Sequence, residues 1–160
     1  MSLVPVSLTI SAGVTVAADP RAVWDLAVDW AAQQRWIWAT TTSGGHGLGA
    51  VVTGRTGIGR ASFTDTMVIT EWDPPRRCTV RHTGRVVRGE GVFEVLPREN
   101  GAEFRWTERI APPEVLVALV PAALRPAFTR LAYAAIAGVA RAGLGYSLIR
   151  FARLLTGPRA

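Results

Sequence analysis

Between residues 59 and 110 the chain alternates apolar and polar positions in short runs separated by turn formers. Ala61–Trp72 (ASFTDTMVITEW) ends at Asp73-Pro74-Pro75, and Cys78–Gly84, Val86–Leu96 and Ala102–Ile110 follow, the last two joined by Pro97–Gly101. Period-two runs rich in Val, Ile, Thr, Phe and Trp, bounded by Pro, Gly, Asn and Asp, predict consecutive antiparallel strands. Ser7–Val16, Ile37–Ser43 and Ala50–Thr56 are three further candidates, the last two flanking the glycine-rich Gly44–Gly49. A phosphate-binding loop needs its glycines between a strand and a helix start, so that backbone N–H groups face the anion. Strands on both sides make this segment a hairpin instead.

Two segments break the alternation. Asp19-Pro20 has the form of a helix start, with an N-cap carboxylate and proline at N1. Behind it Val23, Ala27 and Trp30 fall on one stripe with Leu26 beside it. Asp29 is placed to cap a second short helix, Trp30–Trp36. Beyond Pro112-Pro113 an apolar piece, Glu114–Val120, precedes a long helix from about Pro121 to Leu155. In it Leu124, Phe128, Leu131, Ala135, Val139, Ala142, Tyr146 and Ile149 recur at helical spacing. Gly138, Gly143 and Gly145 weaken helix propensity by roughly 1 kcal/mol each relative to Ala. They imply either a bend near Gly143 or a helix backbone packed closely on the sheet. The order is strand, two short helices, about six strands, then one long helix. It predicts an α+β fold, a curved antiparallel sheet of about seven strands wrapped around the C-terminal helix.

Composition changes this picture little. The 160 residues are read as one domain, 1–160, with 49% apolar residues supplying an ordinary core. The net charge of +6 raises the question of nucleic acid. All 18 basic residues are Arg, they are scattered, and Arg76-Arg77 is the only adjacent pair, so no nucleic-acid partner is expected. The N-terminus lacks a secretory pattern, and Arg125, Arg130 and Arg141 interrupt the apolar C-terminal third before a membrane span is reached. One cysteine, Cys78, and two histidines without ligand spacing argue against a disulfide or a zinc site, and suit a cytoplasmic location. No cofactor or metal is expected.

The motifs Asp19–Trp24 (Asp-Pro-x-x-Val-Trp), the strand bearing Asp65, Glu71–Arg77, His82–Gly84 and Phe104–Glu108 (Phe-x-Trp-x-Glu) resemble the SRPBCC helix-grip superfamily. Within it the chain is most similar to bacterial polyketide cyclase/dehydrase-like members, related to START lipid-transfer domains. The resemblance implies a cavity between the sheet and the long helix, and it specifies fold better than activity.

Alternation then suggests which residues face that cavity. Phe104, Trp106, Glu108 and Ile110 share one face; so do Phe63, Asp65, Met67 and Ile69, and so do Cys78, Val80 and His82. In the sixth strand Val87, Gly89, Gly91 and Phe93 face in, the glycines marking a bend or clearing space for a ligand. Trp36 and Trp38 stand either at the cavity mouth or in the core. Tyr133 and Tyr146, on the long helix, are within reach of a cavity. His46 is expected in solvent. Asp65, His82 and Glu108 are then the few polar groups of an apolar interior, and must pair with one another, with an Arg or with a ligand.

Two function classes follow, with a third behind them. The first is a module, monomeric or homodimeric, that binds a small hydrophobic molecule (a lipid, isoprenoid or polyketide-like compound). The second is an aromatase/cyclase or dehydratase-like enzyme using His82 or Glu108 as acid–base groups, with Asp65 setting the histidine tautomer. The third uses the Arg-bearing helix, through Arg141, Arg150 and Arg153, as a dimer or membrane-surface face.

Overall fold

The computed structural model describes residues 8–111, 121, 123 and 125–157. The alternating runs form one seven-stranded antiparallel sheet: β1 Leu8–Val16, β2 Thr40–Gly44, β3 Val51–Ile58, β4 Ala61–Asp73, β5 Arg77–His82, β6 Arg88–Arg98 and β7 Gly101–Ala111. The spatial order is β1-β7-β6-β5-β4-β3-β2, so β2 to β7 form a meander and β1 closes against the last strand. Between β1 and β2 lie α1, Pro20–Val28, and a 3₁₀ turn, Ala31–Arg35. The Asp19 carboxylate accepts the Arg21 N–H at 2.7 Å, and the Asp29 carboxylate accepts that of Ala32 at 3.1 Å. The first cap sits where the sequence puts it; Asp29 instead ends α1, and its carboxylate reaches into a tighter turn whose N-cap position is Trp30. Helix α2, Arg125–Thr156, packs on the sheet. The expected apolar piece Glu114–Val120 lies outside the described residues. Gly44–Gly49 is a hairpin turn, with the Gly45 N–H donating to the Val51 carbonyl at 3.1 Å.

The core gathers where α1 and the C-terminal half of α2 meet the sheet. Val23, Trp24, Ala27, Trp36, Phe104, Leu148 and Phe151 are almost wholly buried there. Phe104 stacks on Phe151 with centroids 4.4 Å apart, and Trp36 presents its edge to Phe151 at 4.9 Å. An irregularity between Ile69 and Glu71 re-phases β4. After it Trp72, rather than Glu71, joins the core and meets Trp24 edge-on at 5.1 Å. Glu71 is left to accept the Thr79 hydroxyl and the Arg77 guanidinium.

Of the helical stripe read from the sequence, Leu131, Tyr146 and Ile149 point outward, while Val139, although exposed, borders the space between helix and sheet. Leu131, Val139, Tyr146 and Ile149 are each more than half exposed, whereas Ala137, Leu144, Ser147, Leu148 and Phe151 are buried. Alanine and leucine occupy both faces of α2, so its apolar period does not select a side. The glycines do not bring the helix backbone onto the sheet either. A Cβ added at Gly138, Gly143 or Gly145 would meet nothing within 4 Å.

Candidate functional site

Beside the packed core, the space between the inner sheet face and the middle of α2 is not filled. It forms a cavity of about 360 Å³. Phe63 and Met67 of β4, Val80 of β5, Phe93 of β6 and Trp106 of β7 line its sheet side, all residues that alternation pointed inward. Val139, Ala140, Gly143, Leu144 and Ser147 line its helix side. Trp38, half exposed, stands at its edge, and its backbone N–H donates to the Ser147 hydroxyl at 3.1 Å. Small residues leave the hollow open: Gly54 and Gly91 on the sheet, Ala140 and Gly143 on the helix.

Several residues expected at the cavity are elsewhere. Trp36 is fully buried below it, in edge contact with Phe93, Phe104, Trp106 and Phe151, so it is core and not mouth. Phe104 has the right strand face but lies one residue pair further along β7, over Phe151. Tyr146 is on the outer face of α2, with the Arg150 guanidinium 5.7 Å from its ring centre. Tyr133 is half-buried on α2 away from the lining, where burial raises its phenol pKa. Gly89 is at the start of β6 with φ +133°; a Cβ there would stand 1.9 Å from the Arg109 carbonyl oxygen. Its absent side chain serves the backbone, not a ligand. His46 is exposed as expected, yet its Nε2 lies 3.0 Å from the Val28 carbonyl oxygen and its ring stacks on Trp30 at 5.9 Å.

The three polar residues do come together at the cavity. His82 Nδ1 is 2.5 Å from Asp65 Oδ2, and His82 Nε2 is 3.2 Å from Glu108 Oε2. The Trp106 indole N–H donates to Glu108 Oε1 at 2.6 Å. The strand register explains the meeting. Val80 pairs with Gly91 and Gly91 with Glu108, so β6 lies between the strands of His82 and Glu108. A Cβ at Gly91 would lie 3.0 Å from Glu108 Oε1 and 3.2 Å from Val80 Cγ2. The missing side chain is what lets the carboxylate cross β6 to the imidazole. Gly84 does the same for Asp65: a Cβ there would fall 2.3 Å from Oδ1. Gly84 belongs to the His-Thr-Gly motif, but nothing in the pattern ties it to Asp65, nineteen positions earlier in the chain.

Electrostatics follow from this geometry. Burial pulls the His82 pKa down, but hydrogen bonds to Asp65 and Glu108, together with their charges, outweigh it and push it up to about 9. His82 is therefore an imidazolium at neutral pH, held by a carboxylate on each nitrogen. Asp65 Oδ1 is buried with no hydrogen-bond partner among the described residues. Cys78, also in the lining, is 1% exposed, and burial with the nearby Glu71 charge pushes its thiol up to about 12, far from a thiolate at neutral pH. No arginine is among the lining residues described.

Comparison with known proteins agrees with this architecture. The family model described as "Polyketide cyclase / dehydrase and lipid transport" matches residues 7–144. Among solved structures, a Polyketide_cyc-like protein, Cgl2372 from Corynebacterium glutamicum, aligns with TM-score 0.61 at 18% identity, over 94% of this chain and 93% of that one. Protein MLL2253 from Mesorhizobium loti aligns with TM-score 0.68 at 12% identity, over 96% and 100%. The Aha1 dimer from Colwellia psychrerythraea aligns with TM-score 0.65 at 13% identity, over 96% and 99%. At these identities the structural likeness concerns the fold. No curated protein matches the sequence. Among the described residues, no helix is long and apolar enough to cross a membrane.

Proposed function

Because the chain belongs to the polyketide cyclase/dehydrase and lipid transport family, we propose that residues 1–160 are a single domain that binds a small hydrophobic molecule between sheet and helix. A lipid, isoprenoid or polyketide-like compound has the required character. The observation that carries the proposal is the cavity of about 360 Å³, apolar over most of its wall and polar at the Asp65–His82–Glu108 end. A pocket of this size and make-up is typical of small-molecule sites.

Catalysis by His82 on a polyketide-like substrate has less support. An imidazolium whose pKa is about 9, with a carboxylate on both nitrogens, has no free lone pair to act as a base at neutral pH. The Cys78 thiol is equally unsuited to act as a nucleophile. Binding needs none of this reactivity, only shape and a polar end to the cavity.

Gly143→Leu tests the binding reading. The helix position tolerates the change, because no atom lies within 4 Å of the added Cβ, and the side chain would occupy cavity space. The expected result is a folded variant that no longer takes up an apolar fluorescent probe that the wild type binds. Equal uptake by both proteins would contradict the proposal.

A further inference from the structure

The polar end of the cavity is short of donors and rich in acceptors. Its N–H groups are already used: both His82 nitrogens lie against carboxylate oxygens, and the Trp106 indole donates to Glu108. A carboxylate offers about four lone-pair sites, so Asp65 and Glu108 together have capacity well beyond these three contacts. Asp65 Oδ1 has no partner among the described residues, but it is buried against Gly84, so the capacity open to the cavity is that of Glu108. Charge points the same way. Two carboxylates share one imidazolium, so the cluster carries an excess negative charge in a wall that is otherwise neutral. None of the chain's arginines is among the described lining residues, although Arg81 and Arg88 line a second hollow that His82 also borders. The remaining polar lining groups, such as Thr40 and Thr56, which hydrogen-bond to each other at 3.0 Å, are uncharged.

We propose that the cavity selects apolar molecules whose polar end donates a hydrogen bond, an alcohol or an amine, and rejects those that end in a carboxylate or phosphate. The selection is made at Glu108, which lines the cavity and has accepting capacity left on both oxygens. An anionic end group would be desolvated beside a cluster of net negative charge whose imidazolium, His82, already has a carboxylate on each nitrogen, whereas a hydroxyl or ammonium finds an acceptor waiting. With the His82 imidazolium offsetting part of it, like-charge repulsion at a few ångströms and a protein-like dielectric leaves a discrimination on the order of tenfold to a hundredfold. This inference rests on the binding reading above and narrows its ligand class.

The test uses three probes with the same ten-carbon chain, 1-decanol, decylamine and decanoate, each below its aggregation limit at pH 7. Binding is read from the fluorescence of the cavity tryptophans Trp30, Trp38 and Trp106. Decanol and decylamine are expected to bind, and decanoate to bind about tenfold more weakly or worse. Glu108→Gln, which removes one charge and keeps the shape, should narrow the gap between decanoate and decanol about tenfold. Asp65→Asn, checked for folding by circular dichroism, should narrow it in the same direction. Decanoate binding as tightly as decanol would overturn the selectivity while leaving the binding reading intact. An unchanged ratio in both folded variants would overturn the role given to the cluster. Failure of all three probes to bind would overturn the binding reading, and this inference with it.

Discussion

Rising pH should remove a measurable part of this protein's stability through one residue, His82. Its pKa is about 6.5 in an unfolded chain and about 9 in the fold. A folded-state pKa raised above the unfolded value means that the folded protein holds the proton more tightly. The resulting stabilisation is complete below pH 6.5 and is lost as pH climbs through 9. At about 1.36 kcal/mol per pH unit, the span between the two values corresponds to up to ~3 kcal/mol. The group is deep enough for this to count, with a side chain 9% exposed between Asp65 of β4 and Glu108 of β7. Urea denaturation followed from pH 6 to pH 9.5 would read the effect directly. With a urea slope of about 1–3 kcal/mol per molar, the wild-type midpoint should fall by ~1 M or more across that range. His82→Gln is less stable at pH 6, because it leaves two largely buried carboxylates without a cation, and its midpoint should fall much less over the same interval, by the smaller share due to the buried Cys78 thiol. The difference between the two slopes isolates the histidine from every other group that titrates there. Parallel profiles, or a wild type that gains stability towards pH 9, would refute the doubly bracketed imidazolium.

Three further outcomes follow from particular contacts. Gly91→Val should separate Glu108 from His82, because even a Cβ at this position comes within 3.0 Å of Glu108 Oε1; a histidine NMR titration would then show a lower His82 pKa. Gly143→Ala should stabilise the protein by ~1 kcal/mol, since the helix gains propensity without a clash. That corresponds to a rise of about 2–4 °C in Tm by calorimetry. Trp36→Ala should cost ~3–5 kcal/mol in chemical denaturation, whereas Trp38→Ala, at a half-exposed position, should cost much less. Similar losses for the two would contradict their assignment to core and cavity edge.

The strands and the polar trio were legible in the sequence because alternation is a strict two-residue code. It put Asp65, His82 and Glu108 on the inner face, and only the cross-strand register was needed to bring them into contact. The code fails where the backbone departs from it. At Thr70 the ladder of β4 slips, so the Trp72 side chain enters the core. Trp36 belongs to no strand, which left its position to be fixed by the aromatic cluster it packs into. Gly91 shows a different limit. Alternation points it inward, but whether the vacant space serves a ligand or a neighbouring carboxylate depends on which residue stands across the ladder. For α2 the difficulty is chemical rather than geometric. Leu131, Tyr146 and Ile149 recur with the same helical period as Leu144, Leu148 and Phe151, and the sequence holds two apolar stripes where only one can face the sheet.

The most direct measurement is a set of nuclear Overhauser contacts between bound 1-decanol and the methyl groups of the protein. The cavity account predicts contacts to Met67, Val80 and Leu144, with none to Leu131 or Ile149 on the outer face of α2. Contacts confined to that outer face would place the ligand on the surface and contradict binding between sheet and helix.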